Sequence, residues 1–254
     1  MRILLANDDG IDAPGIRALA DALKEDYEVY VSAPSTQKSA MSHSVTYFFH
    51  TVTGHPVEIE GVKGAWAIDG TPADSVYLGM KGLMDEMPDL VITGINQGRN
   101  LSVDCVYSGT VGAAEEALLY GVPAIAASLT SYTSHDFSAA CAHIKRLIPL
   151  YMSDPNRTKY LLNVNVPALS LEEIKGIKFV DYEKHWEYHH GLKKEIQEDG
   201  SFVFKTKEDF PQDHIFGSGG DGTAVHEGYV SISPIGLDQI QYDYLETLEE
   251  HYKK

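Results

Sequence analysis

The apolar residues in the first half of the chain follow two alternating patterns. Short uninterrupted runs, such as residues 3–5, are typical of strands buried on both faces of a parallel sheet. Between these runs, apolar residues recur at helical spacing, as they do after Pro14, a residue suited to a first helical turn. The alternation predicts an α/β fold, with a mostly parallel sheet covered by helices on both faces. Strands are predicted at residues 3–5, 27–34, 45–49, 66–69, 89–96 and 122–128, and helices after residue 14, after residue 74 and over residues 110–120.

The pattern changes after about residue 175. Residues 195–204 predict a β-hairpin that turns at Asp199-Gly200, and residues 237–254 predict a terminal helix with Leu245 and Leu248 on one side. A lone two-stranded arm is marginally stable, so we expect the arm to pack on another subunit. The chain is therefore divided into a core, residues 1–175, and an extended C-terminal segment, residues 176–254, within one integrated domain. A surface or subunit-contact role is expected for four side chains of the arm: His185, Trp186, His189 and His190.

Charge narrows the range of partners. The 254 residues include 20 Lys and Arg against 37 Asp and Glu, a formal net charge of −17. Binding a nucleic-acid polymer through its phosphates requires clustered basic residues, so that class of partner is excluded. A small phosphorylated substrate is compatible with this charge where a metal ion and backbone amides supply local positive potential.

The chain carries no targeting signal that we recognise. Its N-terminus lacks the pattern of a signal peptide, and no apolar run approaches the length of a membrane span. Cys105 and Cys141 have no CxxC spacing and fit a reducing compartment better than a disulfide scaffold. We therefore expect a cytoplasmic protein with no membrane partner.

Two adjacent acidic residues, Asp8 and Asp9, directly follow the first predicted strand. Ligands of open α/β sheets bind at the carboxyl ends of the strands. Neighbouring carboxylates repel each other unless a cation or a shared proton neutralises them. The alternative is a solvated Asp-Asp-Gly turn without chemistry, because turns favour Asp and Gly for backbone reasons. From the acidic pair we hypothesise a divalent-metal site. This hypothesis requires suitable residues at the ends of the other strands as well.

Three further loops fall where predicted strands end, and their residue types complement the acidic pair. Residues 33–44 carry several hydroxyls, which can donate to phosphate oxygens or bind a hard metal ion. Residues 94–100 offer an amide oxygen at a strand end. Residues 107–114 open onto a helix N-terminus, whose free amides and dipole favour an anion. Each loop is weak evidence by itself, but four loops at one sheet edge indicate a phosphate-processing site.

Five blocks of the sequence resemble the stationary-phase survival protein SurE family, and they span nearly the whole chain in order. The blocks are residues 7–16, 70–74, 94–100, 107–111 and 228–234. The resemblance implies a divalent-metal-dependent phosphatase acting on nucleoside 5'- and 3'-monophosphates. It also implies a Rossmann-like core and a homodimer or homotetramer in which part of the C-terminal segment is swapped between subunits.

The resemblance also implies roles for individual residues. One divalent metal ion per subunit, Mg²⁺ or Mn²⁺, is implied, with Asp8 and Asp9 as catalytic residues. The implied metal ligands are Asp8, Asp9, Ser39 and Asn96. The implied substrate contacts are Asn96, Ser108, Gly109 and Thr110. These metal ligands all supply oxygen, which suits a hard ion and argues against a thiolate zinc site.

Two positions, Ala40 and Asp221, bear on how well the chain fits the family pattern. The family usually has Ser-Gly where this chain has Ser39-Ala40. If the glycine is needed for a positive φ angle or for a close approach of the backbone, Ala40 should alter the shape of this loop or its fit to substrate. Asp221 matches a family aspartate, although its surroundings are altered.

The sequence leaves two possible nucleophiles for the reaction and one alternative function of a different class. Water activated at the metal ion is the preferred nucleophile, because both carboxylates are needed as ligands, and direct attack by Asp8 or Asp9 is the alternative. The alternative function is a receiver-type signalling module that binds Mg²⁺ without turnover. Such a module places an acceptor aspartate at the end of a middle strand, whereas here the comparable strand ends at Asn96. The first turn also lacks the G-x-G-x-x-G pattern of a dinucleotide-dependent reductase.

Overall fold

A computed structural model describes residues 1–183, 192–206 and 217–252. Its strands are β1 (Arg2–Ala6), β2 (Glu28–Pro34), β3 (Gly54–Pro56), β4 (Gly64–Ile68), β5 (Leu90–Gln97), β6 (Ala124–Leu129), β7 (Tyr160–Val166), β8 (Ile177–Phe179), β9 (Leu192–Ile196), β10 (Phe202–Thr206) and β11 (Val230–Gly236). Its α-helices are α1 (Pro14–Leu23), α2 (Pro72–Leu78), α3 (Asp104–Tyr107), α4 (Gly109–Leu119), α5 (Ser138–Met152), α6 (Asp221–His226) and α7 (Tyr242–Tyr252), and a π-helical turn, Gly79–Leu83, extends α2.

Nine of the described strands form one sheet, in the order β3-β4-β2-β1-β5-β6-β7-β11-β8. The six strands from β4 to β7 in this order are parallel, whereas β3 and β11 run antiparallel to β4 and β7. The predicted α/β fold with a mostly parallel sheet is therefore confirmed. The carboxyl ends of β1, β2, β5 and β6 lie along one edge, which we call the carboxyl edge.

Strand β1 shows why the first apolar run has no polar interruption. Ile3 and Leu5 are completely buried in a core cluster that includes residues of α1 and α5. Leu4 and Ala6 are equally buried in a second cluster, with residues of α2 and α4. Because successive side chains of a strand point to opposite faces, a strand covered on both sides must be apolar throughout.

The strand predicted at residues 45–49 is wrong, because residues 47–49 form a turn and residues 45 and 46 belong to no helix or strand. The backbone N–H groups of Thr46 and Tyr47 donate to the carboxylate of Asp74 in α2, at 2.8 and 3.3 Å. Phe48 and Phe49 are 67% and 85% exposed. The backbone N–H groups of this segment thus find their acceptor in a buried carboxylate and not in a neighbouring strand.

The C-terminal predictions have mixed outcomes. The hairpin turning at Asp199-Gly200 is confirmed as β9 and β10, and the terminal helix is confirmed as α7. Strands β8 and β11, which follow residue 175, belong to the main sheet, so the sheet itself crosses the proposed boundary. The division at residue 175 and the swapping of a segment between subunits stay predictions. His185, Trp186, His189 and His190 lie outside the described residues.

Two further expectations concern the cysteines and membranes. Cys105 and Cys141 are both free thiols. Within the described ranges, no helix combines the length and hydrophobicity that a membrane crossing requires.

Candidate functional site

The acidic pair lies in the turn between β1 and α1, at the carboxyl edge of the sheet. The side chain of Asn7 closes this turn, donating to the carbonyl of Gly10 at 2.8 Å and accepting from its N–H at 3.1 Å. Gly10 has a φ of +103°, a conformation that L side chains rarely adopt. Asn7 and Gly10 thereby present Asp8 and Asp9 at the strand end before Pro14 starts the helix.

Asp8 is the buried member of the pair, with 5% of its surface exposed. The hydroxyl of Thr110 donates to its Oδ1 atom at 2.6 Å, which joins β1 to the N-terminus of α4. Burial raises the pKa of Asp8 to about 6, against the lowering effect of the Thr110 hydrogen bond, and the charge of Asp9 raises it further. A buried carboxylate whose ionisation is disfavoured in this way is a group that a bound cation would stabilise.

Gly109 allows α4 to approach Asp8 this closely. A Cβ atom at Gly109 would lie 2.9 Å from the Cβ of Asp8 and 3.1 Å from Cγ of Pro72. Any larger residue would push the first turn of α4 away from the carboxylate. The glycine of the predicted substrate loop therefore has a steric role that the structure makes visible.

Asp9 is held by two amide donors that the sequence patterns do not reveal. The backbone N–H of Gln97 donates to its Oδ2 atom at 3.0 Å, and Nε2 of Gln37 lies 3.4 Å from its Oδ1 atom. The same Nε2 atom donates to Oγ of Ser39 at 3.1 Å. The side-chain amide of Gln37 thus places a positive dipole between Asp9 and Ser39, two of the predicted metal ligands. Burial raises the pKa of Asp9, and the hydrogen bonds from Gln97 and Gln37 oppose that rise.

Asn96 reaches the same edge at the end of β5. Its Nδ2 atom donates to the carbonyl of Gly98 at 2.9 Å, so the carbonyl oxygen is the atom of this side chain that a cation would use. Gly94, two residues earlier, has a φ of +116°, and a Cβ atom there would lie 2.2 Å from the carbonyl oxygen of Ala127. The glycine lets the strand pass β6 closely at the point where Asn96 precedes Gln97, the residue that donates to Asp9.

Ser108 and Thr110 form the N-terminus of α4. Oγ of Ser108 accepts from the backbone N–H of Val111 at 3.1 Å, which makes Ser108 the N-cap of the helix. An accepting cap hydroxyl keeps its own proton available for donation to an anion. The predicted substrate loop is therefore both a structural cap and a helix N-terminus placed directly against Asp8.

The loop that carries Ser39 lies against α3 and α4. Ser42 donates its backbone N–H to the carbonyl of Tyr107 at 2.9 Å and its hydroxyl to the carbonyl of Val106 at 2.8 Å. His43 places Nε2 2.8 Å from Glu116 and Nδ1 3.3 Å from Glu115, both on α4. The Ser42 bonds thus hold the loop to α3, and the His43 contacts hold it to α4, the helix that begins with the predicted substrate contacts.

Ala40 stands where the family resemblance leads us to expect glycine, and its conformation gives a physical reason for that expectation. Ala40 has a φ of +58°, in the left-handed region that favours glycine. The chain therefore keeps the loop geometry at a steric cost of about 1–2 kcal/mol.

Asp221 lies apart from the acidic pair but supports the loop that follows Asn96. Its carboxylate accepts backbone N–H bonds from Ser102 at 2.8 Å, Glu183 at 2.9 Å and Gly222 at 2.8 Å. The side chain is completely buried, and burial raises its pKa while the three hydrogen bonds lower it. Asp221 thus joins the Asn96 loop to the C-terminal segment and does not contact Asp8 or Asp9 through these bonds.

The donor set at the edge fits a hard cation. Among the residues that the structure describes, no three His, Cys, Asp or Glu side chains form a group that could hold a metal ion. A cation here would therefore rest on the two carboxylates, with neutral oxygens of Ser39 and Asn96. Oxygen ligands of this kind, completed by water or substrate oxygens, suit Mg²⁺ or Mn²⁺.

Comparisons with known proteins agree with one another. The model of a family described as survival protein SurE matches residues 3–188. The 5'-nucleotidase SurE of Thermosynechococcus vestitus is 40% identical over 250 residues, which cover 94% of this chain and 91% of that protein. The protein of the same name from Pseudoalteromonas atlantica is 36% identical over 258 residues, covering 100% of both. The crystal structure of the Sure protein from Aquifex aeolicus superposes with a TM-score of 0.83 at 34% identity and covers 98% of this chain and 99% of that one.

Proposed function

This chain belongs to the SurE family, and from that premise we propose that it is a divalent-metal-dependent phosphomonoesterase that hydrolyses nucleoside 5'- and 3'-monophosphates to nucleoside and phosphate. The hydrolase class, a 5'-nucleotidase, is confirmed by the names of the curated relatives. One observation carries the finer proposal: the 2.6 Å hydrogen bond between Thr110 and Asp8. This bond places a carboxylate pair that needs a cation against a helix N-terminus that favours an anion.

Four residues would hold the metal ion: Asp8, Asp9, Ser39 and Asn96. When bound, a divalent ion at this place would polarise the phosphate ester and lower the pKa of water. The chain itself supplies the geometry, because Gln97 and Gln37 orient the Asp9 carboxylate and Thr110 orients that of Asp8. Since these donors bind the ionised carboxylates, they also favour the protonation state that a cation requires.

Three residues at the start of α4 would bind the substrate phosphate: Ser108, Gly109 and Thr110. The free backbone N–H groups of the first turn and the helix dipole attract the phosphate oxygens. The same groups stabilise the negative charge that develops on the phosphoryl group during transfer. Because Ser108 and Thr110 are buried, these donors are held in place before substrate arrives.

Water is the proposed nucleophile. In this reaction the water oxygen forms a bond to phosphorus and the ester P–O bond breaks. A proton lost by the water reaches the ester oxygen, so that the nucleoside leaves as an alcohol. Asp8 and Asp9 are oriented by hydrogen bonds as ligands, which favours water attack over a covalent phospho-aspartate. Rapid acid quench with labelled substrate tests this choice, and a trapped phosphoenzyme on Asp8 or Asp9 would refute it.

Substitution of each aspartate by asparagine tests the proposed function. With Mn²⁺ present, we expect D8N and D9N to lose at least about 100-fold in kcat on both 5'- and 3'-monophosphates. The matched control is D12N in the same turn, because the Asp12 side chain is 86% exposed and pairs only with Arg17 among the contacts described. Titration calorimetry with Mn²⁺ should show binding to wild type and D12N but weakened binding to D8N and D9N. Undiminished hydrolysis by D8N and D9N would overturn the proposal.

We further propose that the protein assembles as a homodimer or homotetramer. The hairpin β9–β10 exposes Leu192, Ile196, Phe202 and Phe204, each more than half exposed. An apolar surface of this kind marks a protein contact. Light scattering coupled to size-exclusion chromatography would measure the assembly, and a monomer at all concentrations would contradict it. The cytoplasmic location stays a prediction.

A further inference from the structure

Tyr132 places its aromatic ring against Gly98, two residues after the proposed metal ligand Asn96. It lies in the loop between β6 and α5 and is 69% exposed. A Cβ atom at Gly98 would lie 2.6 Å from Cε1 of the Tyr132 ring, so the ring rests on the bare backbone of this glycine. Gly98 also accepts the side-chain hydrogen bond of Asn96 at 2.9 Å. The ring is therefore one glycine away from the proposed site.

The loop that carries Tyr132 is fixed to the site by Gln97. Nε2 of Gln97 lies 3.3 Å from the carbonyl oxygen of Tyr132 and 3.1 Å from that of Ser134. The backbone N–H of the same Gln97 donates to Asp9. One residue thus joins the carboxylate pair to the Tyr132 loop. The loop also bonds internally, because the hydroxyl of Ser131 accepts from the N–H of Ser134 at 3.0 Å.

We propose that the Tyr132 ring is the platform on which the base of the substrate nucleotide stacks. The inference rests on the proposed function, because it needs a nucleotide phosphate bound at Asp8 and the start of α4. The ribose and base of such a nucleotide would extend from that phosphate along the carboxyl edge, where the Tyr132 ring lies against Gly98, two residues after Asn96. Stacking accepts every base, since each has a π-face, so Tyr132 would strengthen binding of both purine and pyrimidine nucleotides.

The contribution of the ring is separable from phosphate recognition. Removal of a stacked aromatic side chain weakens binding of a base by about 5- to 150-fold. We therefore expect Tyr132→Ala to raise the KM for 5'-AMP about tenfold while kcat changes less than about twofold. Ribose 5-phosphate, which has the same phosphate and sugar but no base, should keep its KM and kcat. Tyr132→Phe, which keeps the ring and removes the hydroxyl, should behave as wild type.

Tyr160 provides a matched control on the same sheet. It is 48% exposed, and its ring lies 3.3 Å from where a Cβ atom at Gly236 would be. It stands at the start of β7, at the edge opposite to the carboxyl edge. Tyr160→Ala should therefore leave the KM for both substrates unchanged. Thermal unfolding checks that each variant is folded, and Tyr132→Leu replaces the alanine variant if that one is not.

The outcomes separate this inference from the proposed function. An unchanged KM for 5'-AMP in Tyr132→Ala, or an equal rise for ribose 5-phosphate, overturns the platform. If Tyr132→Phe also raises the KM for 5'-AMP, the effect belongs to the hydroxyl, and stacking is overturned as well. If wild type hydrolyses neither ester, the proposed function fails. Titration calorimetry with 5'-AMP and ribose 5-phosphate then tests the platform independently, because Tyr132→Ala must weaken the binding of 5'-AMP and leave that of ribose 5-phosphate unchanged.

Discussion

His43 holds a buried carboxylate, and its removal gives a quantitative test of the Ser39 loop. Glu116 is 3% exposed, and its carboxylate lies 2.8 Å from Nε2 of His43 and 3.4 Å from the hydroxyl of Tyr47. Hydrogen bonds to Glu115 and then Glu116 raise the pKa of His43 from 6.5 to about 9, against burial, which lowers it. At 1.36 kcal/mol per pKa unit, this rise corresponds to about 3 kcal/mol of stabilisation of the native state.

The raised pKa fixes the sign of the pH dependence. Protonated His43 stabilises the native state fully below its unfolded pKa of about 6.5, and this stability is lost as pH rises through about 9. The unfolding free energy of wild type should therefore fall by about 3 kcal/mol between about pH 6 and pH 9.5. His43→Gln should lack this fall and be less stable than wild type at pH 6 by at least about 3 kcal/mol, because the Glu116 charge is then buried without a cation.

Urea unfolding at fixed protein concentration measures both the fall in wild-type stability with pH and the loss of stability in His43→Gln. The control is His55→Gln, because His55 is a largely exposed histidine 3.8 Å from the carboxylate of Asp69, and its replacement should change stability by less than about 0.5 kcal/mol. The double variant His43→Gln/Glu116→Gln should recover part of the loss, since no charge is left buried. If wild type and His43→Gln differ by the same free energy at every pH, the ion pair does not hold the loop.

Three further predictions concern single side chains around the site. Ala40→Gly should raise stability by about 0.5–1 kcal/mol, measured by urea unfolding, because it removes the left-handed strain at φ +58°; a loss of stability would contradict this. Thr110→Val should lower kcat/KM at least about tenfold and weaken Mn²⁺ binding in calorimetry, because Asp8 loses its 2.6 Å hydrogen bond; unchanged Mn²⁺ affinity would refute that reason. Asp221→Asn should lower the unfolding free energy by about 1.5–3 kcal/mol, whereas the exposed Asp85→Asn should have no effect; equal behaviour of the two would contradict the role of Asp221.

Local patterns were sufficient to predict the elements whose environment is uniform. Strand β1 is apolar on both faces because two layers of helices cover it, and a pattern of this kind survives in any order of strands. Pro14 at the first position of α1 and Thr71 with Asp74 at the start of α2 act through neighbours within a few residues. The strand ends that carry Asp8 and Asn96 follow from the same local signals.

Residues 45–49 show where local patterns fail. Their β-branched and aromatic composition is typical of a strand, yet Asp74, almost 30 positions later, binds the N–H groups of Thr46 and Tyr47. The hydrogen bonds of the backbone decide strand formation, and a distant carboxylate here supplies the acceptor. No element is predicted for residues 131–175, which contain α5 and β7.

The sequence by itself determined the fold class, the acidic turn and the hydroxyl-bearing loops, because periodicity and turn chemistry act over short distances. The tertiary structure decided which distant groups meet: Thr110 at Asp8, Gln37 between Asp9 and Ser39, and β11 between β7 and β8. It also brought Tyr132 onto Gly98 and Asp221 to the loop after Asn96. Contacts between segments far apart in the chain depend on the packing of the whole sheet, and no local pattern of residues encodes them.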